Sequence, residues 1–134
     1  MKVLALDHGR ARTGVAVSDP TGVLVRPLPT IQRIDSAEGR RRLEALVAAE
    51  RPERIVVGEP RHLSGARGAQ AREAAAFAAR LRELFGLPVE LVDERLSTVE
   101  AARRLREAGQ RRGGAELDSA AACVLLEAYL AAPR

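Results

Sequence analysis

Residues 3–6, Val-Leu-Ala-Leu, are an unbroken apolar run that stops at Asp7 and is followed at once by a glycine, Gly9. Such a run reads as a buried central strand, and the glycine after it marks a tight turn. This constrains the chain to an α/β arrangement and puts Asp7 at the carboxyl edge of its sheet, the usual place for chemistry in such folds. Two further acids stand in similarly apolar settings, Glu94 in VDERLST and Asp118 in ELDSAAA. Singly, Asp7 could cap a turn, Glu94 could pair with Arg95 and Asp118 could cap a helix. Together they suggest a metal site, because converging carboxylates repel one another and need a cation to persist.

The length of 134 residues fits one domain, 1–134, with a core that needs no disulfide staples. Cys123 is the single cysteine and lies in an apolar helical pattern, so it reads as a small core residue in a reducing compartment. Asp7 and Arg10 interrupt the opening apolar run, which excludes a signal-peptide reading, and no stretch approaches membrane-spanning length. A cytoplasmic protein without a membrane partner is expected. The 22 basic and 18 acidic residues leave a net charge of +4, compatible with a polyanionic partner without demanding one. The aromatic residues, Phe77, Phe85 and Tyr129, all fall in helical patterns, which disfavours a base-stacking platform for single strands.

Residues 13–18 read as a second strand and 23–31 as a third, demoted to an edge by Pro27 and Pro29. The opening is therefore an antiparallel meander. Asp35, Ser36 and Glu38 start a helix reaching about Ala49, with Leu43, Leu46 and Val47 on one face. Residues 54–58 form a buried fourth strand. A polar, glycine-rich loop over 59–68 leads to a long helix ending near Gly86, with Ala74, Ala78, Leu81 and Phe85 spaced to face the sheet. Residues 88–92 are a fifth strand. Ser97 and Glu100 form a capping box for a helix ending at Gly109, and 110–114 is a basic loop. The last helix is expected over 117–131, with Asp118, Ala121, Ala122, Leu125 and Tyr129 on one face.

This order, with acids after the first and last strands and on the final helix, resembles the ribonuclease H-like nuclease architecture. At closer range the chain is similar to the YqgF/RuvX family, known as Holliday-junction-resolvase-like proteins and as pre-16S rRNA nucleases. The blocks that carry the likeness are LALDHGRARTGVAVSD, VGEP at 57–60, DERLST at 93–98 and DSAAACVLLEAYL at 118–130. The resemblance implies a five-stranded mixed sheet, a three-stranded antiparallel meander plus two parallel strands, flanked by helices. It also implies that Asp7, Glu94 and Asp118 are the catalytic acids. Four positions depart from the family pattern: Glu59 replaces a leucine, Glu116 stands where a basic residue is frequent, and His62 and Ser64 replace Asn and Asp.

Phosphodiester cleavage needs an activated water, charge neutralisation and help for the leaving oxygen, which two divalent ions about 3.5–4 Å apart can supply. Oxygen ligands suit Mg²⁺ or Mn²⁺. Asp7 would bridge the ions, Glu94 and Asp118 would each complete one shell, and Glu59 could add a ligand. His62 is a candidate for proton transfer, against the plainer reading of a lone loop histidine. Backbone at Gly9, with Arg10, Arg12, Arg61, Arg67, Arg95, Arg111 and Arg112, could contact phosphates, whereas Arg40 to Arg42 read as a solvated helix face.

The leading expectation is a metal-dependent nuclease processing the 5′ end of pre-16S rRNA, acting as a monomer or homodimer. The alternative within the family is a resolvase of branched DNA, which would need a symmetric dimer. Alternatives of another class are an actin-like nucleotide-binding module, for which the chain lacks a duplicated half, and a catalytically inactive nucleic-acid-binding relic.

Overall fold

Strand β1 (Val3–Asp7) is the centre of the molecule because both of its faces are covered. The structure, a computed structural model, describes residues 1–9, 11–59, 68–93 and 119–132, without the side chains of Glu59 and Gln70. Along the chain β1 is followed by β2 (Arg12–Ser18), β3 (Val25–Gln32), α1 (Ala37–Glu50), β4 (Arg54–Glu59), α2 (Ala69–Phe85), β5 (Val89–Asp93) and α3 (Ala120–Ala131). The sheet order is β3-β2-β1-β4-β5. β1 pairs antiparallel with β2 and parallel with β4, β2 pairs antiparallel with β3, and β4 pairs parallel with β5. This is the five-stranded mixed sheet that the sequence implies.

Alternation along β1 divides the core in two. Leu4 and Leu6 pack with Val15, Ile55 and Val57 beneath Leu43 of α1 and Ala74, Phe77, Ala78 and Leu81 of α2. Val3 and Ala5 pack with Ala16 and Val56 against Ala122, Cys123, Leu125, Leu126 and Tyr129 of α3. Residues 3–6 are fully buried, and this is why the sequence shows a continuous apolar run there rather than an alternating one. Cys123 is buried among the α3 contacts, as a small core residue should be.

Local signals set the helix ends. The Ser36 hydroxyl accepts from the backbone N–H of Gly39 at 3.0 Å and caps α1. Gly86, at φ 65°, ends α2 in the left-handed conformation, its N–H donating to the Arg82 carbonyl. Arg40, Arg41 and Arg42 are exposed, as expected of a solvated face. Among the described residues no helix is long and apolar enough to cross a membrane.

Two boundaries differ from the sequence reading. β3 begins at Val25 rather than at residue 23, and Val23 and Leu24 are 76% and 70% exposed. Their backbone N–H groups both donate to one oxygen of the Asp19 carboxylate, at 2.9 and 3.0 Å, so the turn takes them despite their strand propensity. α3 begins at Ala120, its N-cap Ser119 giving its hydroxyl to the sheet and not to the helix, and the expected first residues, 117 and 118, lie outside the described residues. The expected helix over 97–109 and the basic loop over 110–114 lie outside the described residues.

The Asp19 turn yields a pH prediction. Its carboxyl is lowered from 3.8 to about 2, first by the Thr21 hydroxyl that donates to it and then by the Leu24 backbone N–H. A depressed folded-state value means stabilisation that is complete above pH 3.8 and is lost as pH falls through about 2. Urea melts of Asp19→Asn should show a flatter acid limb than the unsubstituted chain across that window. Identical limbs would mean that the turn does not hold Asp19 ionised.

Candidate active site

Asp7 is the last residue of β1, and alternation from Val3 and Ala5 places it on the α3 face of the sheet. It is half-buried, and its cross-strand partner in β2 is Gly14, which offers no side chain to pack against it. No hydrogen bond or ion pair joins the Asp7 carboxylate to another described residue. The parallel strands end at the same edge, where the backbone of Glu59 closes β4 in register with Asp93 of β5. Val92 packs on the α3 side and Leu91 on the other, so Asp93 lies on the face opposite Asp7. The sequence reading passed over Asp93, although alternation in VELVD marks its face.

The start of α3 is wedged into the sheet beside this edge. Ser119 is fully buried, its hydroxyl donating to the Leu28 carbonyl at 2.6 Å and accepting from the Val15 N–H at 3.2 Å. Val15 and Leu28 are register partners at the point where the β2–β3 register shifts, so the hydroxyl bridges the seam where the ladder is interrupted. Gly14, opposite Asp7, lies within that shift, where it faces both Pro29 and Thr30 of β3. The chain therefore enters α3 on the face that carries Asp7, over the β2–β3 seam one strand from β1, and Ser119 directly follows Asp118.

On the other side of the sheet, His8 stacks on Phe77, ring centroids 4.5 Å apart and planes 23° from parallel. Its Nε2 lies 3.5 Å from Asp35 Oδ2, an electrostatic contact longer than a formed hydrogen bond. Gly9 follows, and a Cβ there would collide with the Arg12 carbonyl oxygen, so the turn itself requires glycine. Arg12 is exposed at the head of β2, on the Asp7 edge.

Of the residues singled out in the sequence, the structure places Asp7, Gly9 and Arg12 at one edge, with the backbone of Glu59. Glu94, Asp118, Arg10, Arg61, His62, Arg67, Arg95, Arg111 and Arg112 lie outside the described residues. Among the described residues no three His, Cys, Asp or Glu side chains form a group that could hold a metal. The His8–Phe77–Asp35 cluster and the Ser119 bridge were not anticipated, since both join residues far apart in the chain.

The fold is shared with solved resolvases. Thermus thermophilus RuvC, in complex with a Holliday junction substrate, matches at a TM-score of 0.60 and 20% identity, over 98% of this chain and 94% of that one. The fowlpox virus resolvase in complex with Holliday junction DNA matches at 0.62 and 10% identity, over 97% of each chain. In sequence, curated relatives named as pre-16S rRNA nucleases include those of Mycobacterium ulcerans, 44% identical over 95% of this chain and 76% of that protein, and Moorella thermoacetica, 42% identical over 97% and 94%. Fold and relatives together define the class, a phosphodiester-cleaving nuclease of ribonuclease H-like architecture. A family model described as RuvX: Holliday junction resolvase matches residues 1–132, and the chain belongs to that family.

The Ser119 bridge can be tested by stability. Ser119→Ala leaves a buried N–H and a buried carbonyl without their partner and should cost about 2 kcal/mol in urea unfolding, given roughly 1–3 kcal/mol for an unsatisfied buried group. A loss below about 0.5 kcal/mol, within the range of ordinary surface substitutions, would show that the β2–β3 seam closes without it.

Proposed function

We propose that residues 1–134 are one nuclease domain that hydrolyses phosphodiester bonds with divalent metal, and that its substrate is the 5′ end of the 16S rRNA precursor. The placement of Asp7 carries the reading. A half-buried carboxylate at the carboxyl end of the central strand, with no described group to neutralise it, is placed to take a cation. With Glu94 and Asp118 the donor set is purely carboxylate, which fits Mg²⁺ or Mn²⁺. Val92, two residues before Glu94, and Ser119, one after Asp118, both belong to the Asp7 side of the sheet, which supports convergence of the three acids.

Divalent ions held by these acids would supply charge neutralisation at the phosphate and a more acidic water for the attack. The chain's own groups do the rest. Asp7 holds the centre of the ligand set from the central strand, and Glu94 and Asp118 complete it, whereas position 59, in register with Asp93, falls on the face opposite Asp7. Arg10, Arg12, Arg61, Arg67, Arg95, Arg111 and Arg112, with backbone at Gly9, are the candidates to seat the phosphates, and His62 is a candidate to assist proton transfer. The rRNA reading rests on the names of relatives at 42% and 44% identity, whereas the resolvase structures are far more distant in sequence. Processing a precursor end also needs no two-fold partner, unlike paired cuts in a junction. The cytoplasm, where ribosomes are assembled, is the matching compartment.

Purified protein given labelled pre-16S rRNA and a four-way DNA junction, each with Mn²⁺, should cut the rRNA near its 5′ end. Symmetric cuts in the junction alone would transfer the reading to branched DNA. Asp7→Asn should reduce cleavage by at least about a hundredfold while leaving the metal-free melting temperature equal or higher, because it removes like-charge repulsion. A variant that merely unfolds would make Asp7 structural. Arg111→Ala combined with Arg112→Ala should lower the log–log salt slope of binding by about one to two, with metal affinity unchanged. An unchanged slope would move the nucleic-acid path to another face.

A further inference from the structure

We infer that His8 is a positioning residue for Asp7, clamping the end of β1 from the face opposite the proposed metal site. The inference rests on the reading of Asp7 as a metal ligand. The register with β4 runs to Leu6↔Val57 and that with β2 continues to Asp7↔Gly14, so Asp7 lies at the last rung of its strand. The rotation of Asp7 about the strand axis then depends on what holds its neighbour, because residues 7 and 8 point to opposite faces of one pleat.

His8 is held firmly. Its side chain is 9% exposed, its ring lies flat on Phe77, and its Nε2 faces Asp35 Oδ2. The other carboxylate oxygen of Asp35 accepts from Arg80 at 2.7 Å, and the Arg80 guanidinium sits 5.8 Å from the Phe77 ring centroid. Asp35 comes from the turn before α1, and Phe77 and Arg80 come from α2. Four side chains from three parts of the chain thus close a ring of contacts directly behind Asp7. The half-exposed Asp35–Arg80 pair forms its outer wall. Just beyond His8 the backbone has no slack, since Gly9 is pressed against the Arg12 carbonyl. Partners hydrogen-bonded to a ligand are typically worth about 10- to 100-fold in metal affinity or activity, and His8, acting through the backbone, belongs at the low end of that range.

The test is a calorimetric Mn²⁺ titration of the whole protein, with thermal melts and steady-state cleavage of an RNA substrate in parallel. His8→Ala should weaken Mn²⁺ binding by about tenfold and lower kcat with little change in KM for RNA. His8→Phe, which keeps a flat ring on Phe77, should recover most of that affinity. Asp35→Ala, at a half-exposed position that folding tolerates, should weaken Mn²⁺ binding by a smaller factor. A purely structural role would lower melting temperatures and leave the titrations alone, so wild-type Mn²⁺ affinity in folded His8→Ala and Asp35→Ala overturns the inference. Asp7→Asn separates the two failures. If it abolishes the Mn²⁺ site while His8→Ala keeps it, only the role of His8 falls; if it titrates like the unsubstituted chain, the reading of Asp7 falls and the role of His8 falls with it.

Discussion

Burial of β1 on both faces is the constraint from which the rest of the molecule follows. With Leu4 and Leu6 under α1 and α2, and Val3 and Ala5 under α3, the strand joins two otherwise separate cores. Truncating one of these leucines to alanine costs about 2–5 kcal/mol in comparable cores, a large part of the roughly 5–15 kcal/mol by which a domain is stable. The same burial makes the strand a rigid platform. Asp7 stands at its end, half-buried on the α3 face.

The two ends of β1 are secured differently. At the amino end, Lys2, the only lysine, reaches Glu50 at the close of α1 at 3.0 Å, and Arg26 of β3 joins the same carboxylate at 2.9 Å. These two cations hold the Glu50 carboxyl below its ordinary range, the hydrogen bond from Lys2 contributing most. The Lys2 backbone N–H also donates to Glu53. At the carboxyl end no described cation pairs with Asp7 itself; there the next residue, His8, is held by Phe77 and by Asp35, which is in turn paired with Arg80.

Much of this was legible from residue order. The continuous run at 3–6, the prolines at 27 and 29, Ser36 before α1 and Gly86 after α2 each report a local rule of burial, edge or cap, and each stands where the pattern puts it. At the boundaries that moved, a side chain found a partner that local propensity does not see. Asp19 draws the N–H groups of Val23 and Leu24 into a turn, and Ser119 gives its hydroxyl to strands about a hundred residues earlier.

For the site, the sequence by itself determined which acid ends the central strand, because an apolar run stopped by a carboxylate and a glycine encodes its own position at a sheet edge. The two-layer cover of β1 was likewise written in its unbroken hydrophobicity. Only the tertiary structure decided that Asp7 and the head of α3 share one face, that Asp93 falls on the other, and that His8 is packed against Phe77 and Asp35 rather than exposed. Those relations depend on strand register and on which helix covers which face. Contacts between residues tens of positions apart fix both, and no local pattern carries them.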